Sequence, residues 1–176
     1  MLQKIIRDPI YDYISFDIPQ DQWALDLLNT PEVQRLRFIH QLGVSSYTYP
    51  GASHSRLSHT LGVFHLMQMA LRHLREYIEQ DDKVVRKTLL GAAIVHDVGH
   101  GPFSHLFEGR LGQKHEKWTK DIINCPSLKI NQILQKEGIL EQVSALIEKD
   151  NFTQPHWQKS LITSQLDLDR MDYLLR

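Results

Sequence analysis

The stretch Leu89–Val95, LLGAAIV, is apolar on every face, and His96-Asp97 follows it directly. A helix that is hydrophobic all round belongs inside a core, so Val84 to His96 reads as a central buried helix. The chain thus carries an imidazole and a carboxylate out of its driest segment. Burying them without partners would cost several kcal/mol. A divalent metal removes that cost, because neutral imidazole and carboxylate oxygen are both suitable ligands. Neighbours on a helix point about 100° apart, so the pair converges on one ion only near a helix end. Gly99, Gly101 and Pro102 supply such an end.

The 176 residues suit one domain, and a chain of this size buries roughly 70% of the surface it exposes when unfolded. Twenty Lys and Arg against 21 Asp and Glu give a net charge of −1, which excludes a basic nucleic-acid coat and leaves no strong nucleic-acid signal. One cysteine, Cys125, excludes a disulfide scaffold and a Cys-based zinc finger. No run approaches the ~18 apolar residues of a membrane helix, and MLQKIIRDPIYDY lacks the apolar core of a secretory signal. These features suggest a cytoplasmic protein. The unusual count is ten histidines, eight of them between His54 and His115.

Periodicity predicts an all-α bundle with one small β-hairpin. Ile5-Ile6, a turn at Asp8-Pro9, and Tyr11 to Phe16 form the hairpin. Helices are expected over Gln22–Leu28, from Pro31 with Thr30 as N-cap to a stop at Gly43, and from Arg56 to about Ile78. In the last of these, Leu61, Phe64, Met67, Leu71, Leu74 and Ile78 recur at helical steps. Shorter helices follow over Ser104–Gly109, His115–Ile123, Ile130–Glu137 and Leu140–Lys149, and a final one over Ser160–Arg176. There is no repeat, low-complexity run or linker.

A His-Asp pair alone recurs by chance. Here His59 lies upstream, within Ser55-Arg56-Leu57-Ser58-His59-Thr60, and Asp169 downstream, within Asp167-Leu168-Asp169-Arg170-Met171-Asp172-Tyr173. A histidine, a His-Asp pair and a distant aspartate resemble the HD-domain metal-dependent phosphohydrolases. Longer motifs narrow the resemblance. Gln34-Arg35-Leu36-Arg37 through Gln41-Leu42-Gly43, Tyr49-Pro50-Gly51-Ala52-Ser53-His54-Ser55-Arg56 and His96 to His105 occur in order. Together they are similar to the deoxynucleoside triphosphate triphosphohydrolases, the group of the sterile-alpha-motif and HD-domain proteins and their short bacterial relatives. The similarity runs from near Lys4 to Arg176.

The resemblance implies an HD-domain helical bundle with His59, His96, Asp97 and Asp169 as metal ligands. The ligand set suits iron, manganese, nickel, zinc or magnesium. It implies His105 as general acid oriented by Glu108, which stands where the family usually has aspartate, with His100 and His115 completing the catalytic set. Arg56 would pair with a phosphate, since guanidinium matches phosphate oxygens. Gln41 and Leu42 would face the sugar, although Leu42 also fits a core position at helical spacing. Arg170 stands near phosphate, Tyr173 would bound the deoxyribose, and Asp172 reads as structural or solvent-facing. The reaction implied is water attack on the α-phosphorus of a dNTP, releasing deoxynucleoside and triphosphate. The same ligand set also serves phosphodiesterases and phosphomonoesterases, or a non-catalytic metal- and nucleotide-binding module.

Some family members bind an activating nucleotide near the hairpin, where Lys4, Arg35 and Arg37 are retained. Asn29 stands where guanine-reading members have aspartate, and an amide cannot accept both guanine N–H donors as a carboxylate does. The family continues beyond Leu174-Leu175-Arg176 with helices that complete the nucleotide pocket and oligomer interface. The resemblance therefore implies that residues 1–176 are the N-terminal catalytic part of a longer, homo-oligomeric protein.

Overall fold

The computed structural model describes residues 2–76, 83–148 and 155–176, with the backbone alone at 76, 104, 105, 107 and 111. An antiparallel hairpin, β1 (Leu2–Asp8) and β2 (Asp12–Ile18), precedes ten α-helices among the described residues. Its register pairs Ile5 with Ser15 and Asp8 with Asp12. Alternation aims Ile14 and Phe16 inward, both fully buried. Phe16 stacks on Phe64 at 4.6 Å, which docks the hairpin against the helical core. This is the all-α bundle with a small N-terminal hairpin that the sequence predicts.

α1 spans Gln22–Leu28, and α2 is only Pro31–Gln34. Thr30 takes the extended backbone of an N-cap, but its hydroxyl donates back to the Leu27 carbonyl rather than capping the helix. The chain then tightens into a 3-10 turn over Arg35–Phe38 and straightens at Ile39. The expected helix to Gly43 is therefore cut short. Arg56 N–H donates to the Ile39 carbonyl and Gln41 N–H to the His54 carbonyl, so this segment is extended because it pairs with the approach to the next helix. Gly43 adopts φ +55° and opens a second 3-10 turn, Gly43–Tyr47. Leu42 is consequently part-exposed rather than core.

α3 (Arg56–His73) is capped by Ser55, whose hydroxyl accepts from Ser58 N–H. A 3-10 turn, Leu74–Glu76, follows, and the predicted continuation to Ile78 lies outside the described residues. α4 (Lys83–Val95) is the central rod, with Leu89, Leu90, Ala92, Ala93, Ile94 and Val95 completely buried. It packs against α3, α1 and α8 (Leu140–Ile147). α5 (Ser104–Leu111), α6 (His115–Ile123) and α7 (Lys129–Lys136) lie close to expectation.

The last predicted helix is two. α9 (His156–Ile162) and α10 (Leu168–Leu175) are separated by a turn that Asp167 organises. One Asp167 carboxylate oxygen accepts from Ser164 N–H and the other from Arg170 N–H, each at 2.8 Å. A side chain that satisfies the backbone this way competes with continued helix. The break places Asp169 and Asp172 one turn apart at the start of α10, which packs along α3.

Gly99 allows α6 to touch the turn after α4. A Cβ there would lie 2.2 Å from the His115 carbonyl oxygen and 2.3 Å from Thr119 N, whereas one on Gly101 would meet nothing within 4 Å. Thr119 Oγ1 locks the contact by accepting from Gly99 N–H and donating to the His96 carbonyl. Gly99→Ala is expected to lower stability by about 3 kcal/mol, the upper part of the usual overpacking range. Gly101→Ala should be near neutral, and urea unfolding of the two variants checks the contrast.

Candidate metal centre

His59 is completely buried on α3, and both of its ring nitrogens face carboxylates. Its Nδ1–H donates to Asp172 Oδ2 at 2.7 Å, and Nε2 lies 2.8 Å from Asp169 Oδ1. His96, in the turn that ends α4, donates Nδ1–H to the Ala93 carbonyl at 2.9 Å. That bond turns His96 Nε2 inward, to 3.3 Å from His59 Nε2. Asp97 lies beside the group, with Oδ1 at 3.5 Å from His96 Nε2 and Oδ2 at 3.9 Å from His59 Nε2.

The donor set fits a divalent metal. Ligands bonded at about 2.1 Å to one ion lie no more than about 4.2 Å apart; His59 Nε2 lies 2.8 Å from Asp169 Oδ1 and 3.3 Å from His96 Nε2, while Asp97 approaches the two rings through different oxygens. Each imidazole has its Nδ1–H tied to an acceptor, leaving Nε2 as the ligand atom, the usual arrangement around protein-bound metals. His59, His96 and Asp169 together could hold an ion.

Electrostatics describe what occupies this space without metal. Burial pulls the His59 pKa down, but hydrogen bonds to Asp169 and Asp172 and the charge of Asp97 outweigh it and raise the value to about 9. Burial raises the Asp97 carboxyl, yet the neighbouring His96, His100 and Arg56 hold it well below the usual carboxylate range. Asp169 and Asp172 are also lowered, because their bonds to His59 overcome burial. A proton on His59 thus stands in for positive charge between aspartates.

Asp97 joins this cluster to a second one. His100, buried in the same turn, has Nε2 at 3.3 Å from Asp97 Oδ1. Its pKa is pushed down to about 4, first by burial, so the ring is neutral near pH 7. It stacks on His115 with centroids 3.8 Å apart. His115 Nδ1–H donates to Glu108 Oε1 at 2.9 Å. Glu108 therefore orients His115. The expected partner, His105, sits on α5 with its side chain outside the described residues.

The remaining expected residues divide between two cavities. Gln41, Leu42 and Arg56 line one with Gly43 and Phe103. Arg170 lines the other with His96, Asp97, His115 and Asp169. Arg56 is not a surface arginine: it is buried and donates to Asp97 Oδ2 at 2.7 Å. Tyr173 is part-exposed on α10. Sequence reasoning missed Asp172. Far from facing solvent, it is fully buried and holds the inner nitrogen of His59. Its spacing of three residues from Asp169 is the signal that would have found it, since i and i+3 share a helix face.

The raised His59 value carries a sign. Because it lies above the ordinary histidine value of about 6.5, its protonation stabilises the metal-free fold fully below about pH 6.5. That contribution is lost as pH rises through about 9. Urea unfolding of chelator-treated protein should therefore show stability falling across this window, and His59→Gln should flatten the fall. Mn²⁺ should displace the same proton at neutral pH, read as proton release in calorimetry across buffers of different ionisation enthalpy.

Comparison with known proteins places the chain in a family. The chain is 40% identical over 177 residues to the uncharacterized protein YwfO of Bacillus subtilis, covering 99% of this chain and 39% of that one. It is 35% identical over 167 residues to the deoxynucleoside triphosphate triphosphohydrolase SAMHD1 of Bos taurus, covering 86% of this chain and 27% of that one. The crystal structure of a phosphohydrolase from Bacteroides thetaiotaomicron superposes with a TM-score of 0.80 at 32% identity, over 98% of this chain and 41% of that one. The chain thus spans well under half the length of these relatives. Residues 56–176, which carry every candidate ligand, match the HD domain, and the chain belongs to the HD-domain family.

Proposed function

We propose that the chain is the catalytic part of a metal-dependent phosphohydrolase that cleaves deoxynucleoside triphosphates into deoxynucleoside and triphosphate. The observation that carries the reading is Asp97, which sits between a metal-type cluster and an imidazole–carboxylate cluster. A hydrolase of phosphate esters needs both, a cation at the phosphorus and a proton donor at the leaving oxygen. The similarity to SAMHD1 supports dNTPs as the substrate class.

When bound, a divalent iron, manganese, nickel, zinc or magnesium ion would polarise the α-phosphate and acidify a water. The protein's own groups do the rest. His100, neutral and tied to Asp97, orients that carboxylate. His105 donates the proton to the leaving 5′ oxygen. His115, fixed by Glu108, contacts the phosphates, and exposed Arg170 at the cavity rim adds charge there.

Two orphaned polar atoms support a polar ligand in the other cavity. Gln41 Oε1 and Arg56 Nε are buried without hydrogen-bond partners, and both residues line it. An unsatisfied buried polar group costs about 1–3 kcal/mol, which a sugar hydroxyl or phosphate oxygen would recover. Leu42, part-exposed at the same rim, and Tyr173 would bound the sugar.

The homo-oligomer, the cytoplasmic location and the nucleotide activator belong to this proposal for the whole protein. Among the described residues, no helix is long and apolar enough to cross a membrane. Arg35 is half-buried and donates to the Val98 carbonyl, and Arg37 donates to Gln34. An activator near Lys4, Arg35 and Arg37 would therefore meet Lys4 and Arg37 as exposed charge, with Arg35 bracing the turn behind His96-Asp97.

Incubation with each dNTP and Mn²⁺, followed by chromatography, tests the reaction. The expected product is triphosphate, absent with Asp97→Ala; monophosphate or diphosphate overturns the proposal. His105→Ala should lower kcat by about 10²–10⁴-fold, the range for loss of a general acid.

A further inference from the structure

Asp172 has no exposed surface, so both of its carboxylate oxygens must be satisfied inside the protein. Oδ2 accepts from His59 Nδ1–H and from Arg176 Nε–H, both at 2.7 Å. Oδ1 accepts from the hydroxyl of Tyr11 at 2.8 Å, across 161 residues of sequence. Tyr11 lies in the turn of the hairpin, between β1 and β2.

We propose that Tyr11 is a positioning residue of the metal centre, acting through Asp172 on His59. The proposal rests on reading His59, His96, Asp97 and Asp169 as metal ligands. Rotation about the Cβ–Cγ bond of an aspartate is soft. That rotation moves both oxygens together, so the Tyr11 hydroxyl on Oδ1 adds an anchor on the oxygen that His59 and Arg176 do not hold, and so helps to fix the carboxylate plane. That plane sets the direction in which Asp172 holds His59 Nδ1–H, and hence the aim of Nε2 at the metal. The opposite side is walled by α3, where a Cβ on Gly62 would come within 1.8 Å of Asp172 Oδ1.

Tyr11 is itself held firmly. The Asp8 carboxylate accepts from Ile10 N–H at 2.9 Å and Tyr11 N–H at 3.2 Å, which shapes the turn. The Tyr11 ring packs against His65 at 4.9 Å and lies 5.6 Å from the Arg176 guanidinium. Arg176 reaches from Asp172 to Asp8 Oδ2 at 3.1 Å, closing a loop of contacts between hairpin, α10 and α3. The hairpin therefore does more than cover the core.

Mn²⁺ binding, measured from the free-ion electron paramagnetic resonance signal, tests this without reference to activity. Tyr11→Phe keeps the ring and removes one oxygen, and is expected to weaken Mn²⁺ binding about 3–10-fold, below the ~10–100-fold typical when a ligand's direct partner is lost, as in Asp172→Asn. The downfield His59 Nδ1–H proton resonance of the metal-free protein should also move in Tyr11→Phe. Arg7→Ala, at the exposed Arg7–Asp12 pair of the same hairpin, should change neither. Unchanged Mn²⁺ affinity or an unmoved resonance in Tyr11→Phe overturns the proposal, including the case where only metal-free stability falls. Failure of the wild-type protein to bind Mn²⁺ would instead overturn the ligand reading itself.

Discussion

His59 is an ionisable ring with no contact with water, and much of the structure follows from that. Such a group is tolerable only when opposite charge or a metal meets it. Two carboxylates do so, Asp169 on one nitrogen and Asp172 on the other. Both come from α10, and Asp172 sits where a side chain on Gly62 of α3 would otherwise be. The turn around Asp167 starts α10 at the point that brings both aspartates to the ring.

Asp97 faces the same difficulty from the other side of the centre. It is buried beside Arg56, His96 and His100, and their combined field keeps it ionised. The apolar length of α4 is what makes this work. Eight consecutive buried residues fix the helix rigidly in the core, and the His96-Asp97 turn is then anchored by Thr119 and by the hydrogen bond from Arg35 to the Val98 carbonyl. Low dielectric strengthens the interactions among the buried members of this cluster, His59 and Asp97 above all.

Much of this was legible along the chain. The hairpin, α1 and α6 follow from short-range signals: alternation, and breakers at Asp8-Pro9 and Cys125-Pro126. His59, His96, Asp97 and Asp169, which the fold brings together, were singled out through the motifs that carry the family resemblance. The expected helix to Gly43 failed because Ile39 and Gln41 pair with Arg56 and His54, at and just before the start of α3, a contact no local propensity encodes. The expected single helix over 160–176 failed because Asp167 spends its side chain on backbone N–H groups, a local event that a plain apolar count overlooks. Arg56 looked like a phosphate ligand at a helix start, and its burial against Asp97 depends on a residue 41 positions away.

The sequence alone determined the central buried helix, the glycine-bounded turn that carries His96-Asp97, and the donor types available for a metal. These depend on local composition and periodicity, which act within a few residues. Tertiary structure alone decided which nitrogens of His59 and His96 face each other, that Asp172 rather than water holds His59, that Glu108 meets His115, and that the hairpin reaches His59 through Tyr11 and Asp172. Each of those is a contact between residues distant in the chain or a choice among side-chain rotamers, and only packing against a particular neighbour selects it.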